Sequence, residues 1–167
     1  MQYSVGDKVV HPRYGPGKIA GVESWEQEDG AKSYYVIDMT TQRLTVRVAV
    51  LRAGEAGMRP AMPQSALLHV VSTLRGNPLR LPDDPRERQE QIGASLRTGQ
   101  VLPLAAAVRD LTWHGARARL TKRDTDLLKQ GQVRLAAEMA LVSGDDATDS
   151  MRLIGSTLTA ALASASS

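Results

Sequence analysis

Residues 43–50 read RLTVRVAV. Leu44, Val46, Val48 and Val50 alternate with Arg43, Thr45, Arg47 and Ala49. Successive side chains of a strand point to opposite faces, so the four apolar residues line a core and Arg47 stands outward between Val46 and Val48. The stretch therefore reads as a strand with one buried face and one exposed face.

The same style runs upstream of it. Val5–Val10 opens a strand that His11-Pro12 closes, Gly15-Pro16-Gly17 reads as a turn, and Lys18–Ser24 forms a second strand. Asp29-Gly30 is a hairpin signal, because Gly supplies the positive φ that tight turns require. Ser33–Met39, rich in aromatic and β-branched residues, is a third strand. Thr40-Thr41-Gln42 turns into the fourth, and a short fifth lies near Gly57-Met58-Arg59. Strands spaced by about 8–12 residues imply a small, strongly bent antiparallel sheet or barrel.

Beyond Pro60 the period becomes helical. The spacing predicts helices over Pro63–Leu74, from Asp84-Pro85 to about Arg97, and over Gln100 to about His114. Asp84 before Pro85 is an acidic N-cap followed by Pro at the first helical position. Thr121-Lys122-Arg123-Asp124 has the form of a capping box and opens a fourth helix. Asp145-Asp146 caps a fifth, which carries Ile154, Leu158 and Leu162. The fold class is α+β: a β domain over residues 1–60 and a helical domain over 61–167.

Composition bounds the function. The 167 residues contain no Phe and no Cys. The absence of Cys excludes disulfides, thiolate nucleophiles and Cys-liganded zinc, and fits a reducing cytosol. No apolar run approaches the roughly 18 residues of a membrane span, so a soluble cytoplasmic protein is expected. Net charge is only +3, but its distribution is uneven. Between residues 109 and 134 stand Arg109, Arg117, Arg119, Lys122, Arg123, Lys129 and Arg134, against Asp110, Asp124 and Asp126. A basic helical face is the footprint of a nucleic-acid contact, and it is also what an ordinary solvated helix displays.

A search for catalytic chemistry finds none. His11, His69 and His114 are isolated, and His69 lies in an apolar helix where a partly buried structural role is expected. Gly15-Pro16-Gly17 cannot cradle phosphate, since Pro16 has no N–H to donate. Asp83-Asp84 and Asp145-Asp146 sit where helix N-termini favour negative charge. No enzyme, metal or cofactor is expected. Trp113, near the end of a helix, reads as core. Trp25, placed after the second strand among Glu23, Ser24, Glu26, Gln27 and Glu28, either folds back on the barrel or faces a partner.

Val5-Gly6-Asp7-x-Val9-Val10-x-Pro12-x-x-Gly15, Leu44-Thr45-Val46-Arg47-Val48 and Val108-Arg109-Asp110-Leu111 stand in an order and spacing that resemble the CarD/CdnL family of bacterial transcription regulators. The resemblance covers almost the whole chain. Its first part also resembles the RNA polymerase interaction domain shared with transcription–repair coupling factors. The resemblance implies a Tudor-like β module that binds the polymerase β subunit, with Arg47 at the contact and Trp25, Thr45 and Val46 on the same surface. It implies a helical domain that meets promoter DNA at the upstream edge of the melted bubble and modulates the open complex, in a monomeric, nucleoid-associated protein. In many members a Trp wedges into the minor groove; the matching position here is Pro85, and a nearby position that is basic in a relative is Glu90. Pro85 is still an apolar side chain of the kind minor-groove wedges use. Arg80, Arg86, Arg88, Lys122 and Arg123 remain as candidate phosphate contacts, which give position and salt dependence rather than sequence reading. A reading without DNA contact, as a polymerase-binding adaptor, follows from the replaced Trp.

Overall fold

The computed structural model describes residues 2–166. The strands are β1 (Lys8–His11), β2 (Gly15–Gln27), β3 (Gly30–Met39), β4 (Leu44–Ala49) and β5 (Arg59–Pro60). The helices are α1 (Leu67–Arg75), α2 (Pro85–Arg97), α3 (Val101–Arg117), α4 (Lys122–Ser143) and α5 (Ala147–Ala165). The chain divides into two compact units, Met1–Ala61 and Met62–Ser167.

All strand pairings are antiparallel, in the order β4-β3-β2-β1-β5. The expected turn at Gly15-Pro16-Gly17 is instead the start of β2: Gly15, Pro16 and Gly17 pair with His11, Val10 and Val9, and the turn falls on residues 12–14. Gly17 is needed there by close approach. A Cβ would lie 2.8 Å from Ile37 Cγ2 and 2.9 Å from the Asp38 carbonyl oxygen. The β2–β3 hairpin turns at Glu28-Asp29, and Gly30, the first residue of β3, has a φ of +113° that is costly for any side-chain-bearing residue. Tyr3, Val9, Ile19, Tyr35, Ile37, Met39, Val48, Ala53 and Met58 form the core of this unit. With no Phe, the aromatic content of that core is a T-shaped Tyr3–Tyr35 pair at 5.5 Å. The Tyr3 N–H donates to the Tyr35 hydroxyl at 3.0 Å, so the buried ring also has its polar end satisfied.

β4 follows the alternation with a graded inner face. Val48 is buried, Val46 half-buried, and Leu44 exposed where the strand runs past the core.

In the helical unit, apolar residues at helical spacing meet in one core, including Val70 and Leu74 of α1, Ile92 and Leu96 of α2, Val108 and Leu111 of α3, Leu135 and Met139 of α4, and Ile154 and Leu158 of α5. A short 3-10 turn at Gln64–Ala66 precedes α1, so the regular helix starts later than Pro63. His69 is exposed rather than partly buried, because it falls outside the stripe of Val70 and Leu74. Asp84 caps α2 by accepting from the Glu87 N–H at 3.0 Å, with Pro85 in the first turn. The Val108–Leu111 motif ties the fold locally. Asp110 accepts from the Leu79 N–H at 3.0 Å and from Arg109 at 2.8 Å, while Arg109 reaches the Thr73 carbonyl at 3.0 Å. The buried Glu138 carboxylate accepts from the Met62 N–H at 2.9 Å.

Candidate functional site

In the β unit, a bulge decides which side chains share the outer face. Ile19 pairs with Ile37, but Gly21 pairs with Val36, so Ala20 is an extra residue in β2. A one-residue insertion inverts side-chain parity along the rest of a strand. Ile19 thus points into the core, whereas Glu23 and Trp25, of the same odd parity, emerge on the face that carries Tyr34 and Arg47. β2 continues to Gln27, so Trp25 lies within the strand rather than after it.

Those four side chains touch. Arg47 Nε donates to Glu23 Oε2 at 2.8 Å, and its guanidinium lies 5.8 Å from the centre of the Trp25 ring, a cation–π distance. Trp25 and Tyr34 rings stand 5.1 Å apart, and the Gln27 amide donates to the Tyr34 hydroxyl at 3.2 Å. Trp25 nevertheless remains 47% exposed. The hydrogen bond from Arg47 holds the Glu23 carboxyl below the usual carboxylate range, and the same contact raises Arg47. Thr45, on this face, donates to Asp38 at 3.3 Å. Val46 is different: its side chain packs against the core, so only its backbone belongs to the outer surface of β4. Beside the cluster runs a groove of about 630 Å³ bordered by Lys32, Tyr34, Ala49, Val50 and Leu51, the last 95% exposed. Tyr34 and Glu23 were not singled out in the sequence. Their signal lay in cross-strand pairing, Glu23 with Tyr34, which only the register reveals.

In the helical unit, the first turns of α2 and α4 are joined by a buried ion pair. Arg88 Nε and a terminal guanidinium nitrogen donate to the two Asp124 carboxylate oxygens at 3.1 and 2.7 Å. Arg88 also donates to the carbonyls of Pro82 and Asp83. Asp124 completes the capping box, accepting from the Thr121 N–H at 2.8 Å while Thr121 Oγ1 accepts from the Asp124 N–H at 3.1 Å. Burial pushes the Asp124 carboxyl up, but hydrogen bonds from Arg88, Thr121 and Gln89 outweigh it and bring it down to about 2.

Arg88 is 2% exposed and fully engaged, so it is a structural residue and not a phosphate contact. Pro85 and Arg86 at the start of α2, and Lys122 and Arg123 at the start of α4, are all exposed. The Arg88–Asp124 pair gathers these four near two helix N-termini, which favour anions. Trp113, expected in the core, is only partly buried and borders a cleft. Among the described residues no group of three His, Cys, Asp or Glu side chains is placed to hold a metal, and no helix is long and apolar enough to cross a membrane.

The two units match two family models. Residues 3–62 match the CarD-like/TRCF RID domain, and residues 69–155 match the CarD C-terminal domain. The chain is also 26% identical over 144 residues to YdeB of Bacillus subtilis (strain 168), named as a candidate transcription factor, covering 85% of this chain and 93% of that protein. The chain belongs to the CarD-like family of transcription factors and carries that family's RNA polymerase interaction domain.

Proposed function

We propose that the β unit docks on the β subunit of RNA polymerase through the outer face of β2–β4, with Arg47 and Trp25 at the centre, Thr45 beside them and the backbone at Val46 on the rim. The observation that carries this reading is the joining of an exposed Trp, a Tyr and an Arg in one patch of an RNA polymerase interaction domain. Trp, Tyr and Arg are the residues that dominate interface energetics. The helical unit meets promoter DNA at the upstream edge of the bubble through Pro85, Arg86, Lys122 and Arg123, and shifts the balance between closed and open complexes. The protein acts as a monomer in the cytoplasm, associated with the nucleoid, and catalyses no reaction. Tethering to the polymerase supplies a high effective concentration, so weak phosphate contacts suffice.

Calorimetric titration of a polymerase β fragment tests the docking half. Arg47→Glu is expected to abolish binding while leaving the circular dichroism spectrum unchanged, and an unchanged affinity overturns the reading.

A second reading, a polymerase-bound adaptor that hardly touches DNA, has its own support. Pro85 replaces the wedge Trp, Arg88 is consumed by Asp124, and Glu90 is exposed on the same helix. Fluorescence anisotropy with a forked promoter fragment, with and without polymerase, separates the two. A steep salt dependence that flattens in an Arg86→Glu/Arg123→Glu variant supports DNA contact.

A further inference from the structure

The helical unit contains a cleft that the transcriptional reading does not use. It has a volume of about 440 Å³, within the range of small-ligand sites. Its walls are apolar, formed by Pro78, Leu79, Leu81, Trp113, Leu162 and Ala165. Two cations, Arg80 and Arg117, also line it.

The polar groups around the cleft are unevenly committed. Asp110 is held by Arg109 and the Leu79 N–H, which offsets its charge. The ion pairs of Arg80 and Arg117 with Asp83 are long, at 3.8 and 4.0 Å, and the two arginine side chains are 73% and 38% exposed. Exposed pairs of this kind are weak and readily exchanged for a better acceptor. Arg117 also bonds His114 Nδ1 at 2.8 Å, which places the imidazole proton on Nε2. Burial, joined by the charges of Arg88 and Arg117, keeps His114 below the ordinary imidazole value and therefore neutral at pH 7. The Trp113 Nε1–H is buried and meets no acceptor among the described residues. Buried indole N–H groups ordinarily have one.

We propose that this cleft binds a small aromatic acid, whose ring packs against Trp113 and Leu162 and whose carboxylate or phosphate is met by Arg80 and Arg117. The apolar walls suit the ring, and the guanidiniums of Arg80 and Arg117, whose ion pairs with Asp83 are long, suit the anion. The site lies on the 78–81 segment and the ends of α3 and α5, and Pro85, Arg86, Lys122 and Arg123 are not among its lining residues.

The test uses the full-length, 15N-labelled protein, titrated with 2-naphthoate and with its neutral isostere 2-naphthamide. The two Trp Nε1–H resonances are followed and assigned with Trp25→Phe. The Trp113 resonance is expected to shift saturably with 2-naphthoate while Trp25 stays still. The amide is expected to bind at least about tenfold more weakly, and Arg80→Gln, which alters only an exposed side chain, to weaken 2-naphthoate several-fold. Arg80→Gln/Arg117→Gln deepens that loss, with folding checked by the rest of the spectrum. No saturable shift at millimolar 2-naphthoate, equal affinity for the amide, or indifference to both variants overturns the proposal.

Discussion

Arg47 and Glu23 form an ion pair at 2.8 Å that reaches across β3 from β4 to β2, with Arg47 also seated over Trp25. Both side chains are about two-fifths exposed, 42% and 39%. The pair orders the patch without holding the fold together, since solvent screens it. Glu23→Gln is expected to leave the urea unfolding midpoint of the β unit unchanged. A lowered midpoint would mean that the pair is structural.

Trp25 has the opposite balance of roles from a core aromatic. Its exposed ring contributes little to the β-unit core and much to any surface that covers it. Trp25→Ala is expected to weaken binding to a polymerase β fragment by at least about tenfold, with the melting temperature nearly unchanged. Loss of folding together with binding would refute this division.

Arg86 and Arg88 stand two residues apart on α2 and differ in every consequence. Arg88→Gln leaves the Asp124 carboxylate buried without its charge partner and is expected to destabilise the helical unit by about 3 kcal/mol. Arg86→Gln is expected to leave stability unchanged and, on the DNA-contact reading, to reduce the salt slope of promoter binding by about 1. Chemical denaturation and salt-dependent anisotropy read the two effects separately.

Asp124 makes the helical unit acid-sensitive. Its folded-state value of about 2 lies below the ordinary 3.8, so the unfolded chain takes up the proton first. The stabilisation is complete above about pH 5 and is lost progressively as pH falls through 2; it amounts to about 2 kcal/mol. Asp124→Asn is expected to flatten this part of the stability–pH curve while lowering stability at neutral pH. An acid transition identical to that of the unaltered protein, monitored by circular dichroism, would disprove the assignment.

Gly17→Ala probes the close approach of β2 and β3. The added Cβ meets the Asp38 backbone oxygen at 2.9 Å, which cannot swing away as a side-chain tip can. The expected cost is about 2 kcal/mol to the β unit, seen as a lowered urea midpoint.

Much of this protein is legible locally. The two-residue alternation at 43–50, the capping box at Thr121–Asp124 and the Asp84-Pro85 start each depend on neighbours within one or two turns of chain, so the sequence by itself determined the presence of the strands, the five helices and the change from strand to helix, but not the bounds of β2. Arg47 was readable as outward-facing for the same reason.

Tertiary structure decided the rest. Trp25 joins Arg47 only because the extra residue at Ala20 inverts the parity of β2, and nothing in the local pattern marks a bulge whose existence depends on how β2 registers with β3. Likewise Arg86 and Arg88 look alike in a basic helix, but Arg88 is claimed by a carboxylate 36 residues away. Parity after a bulge and the burial of a charge are set by distant partners, and so by the folded chain alone.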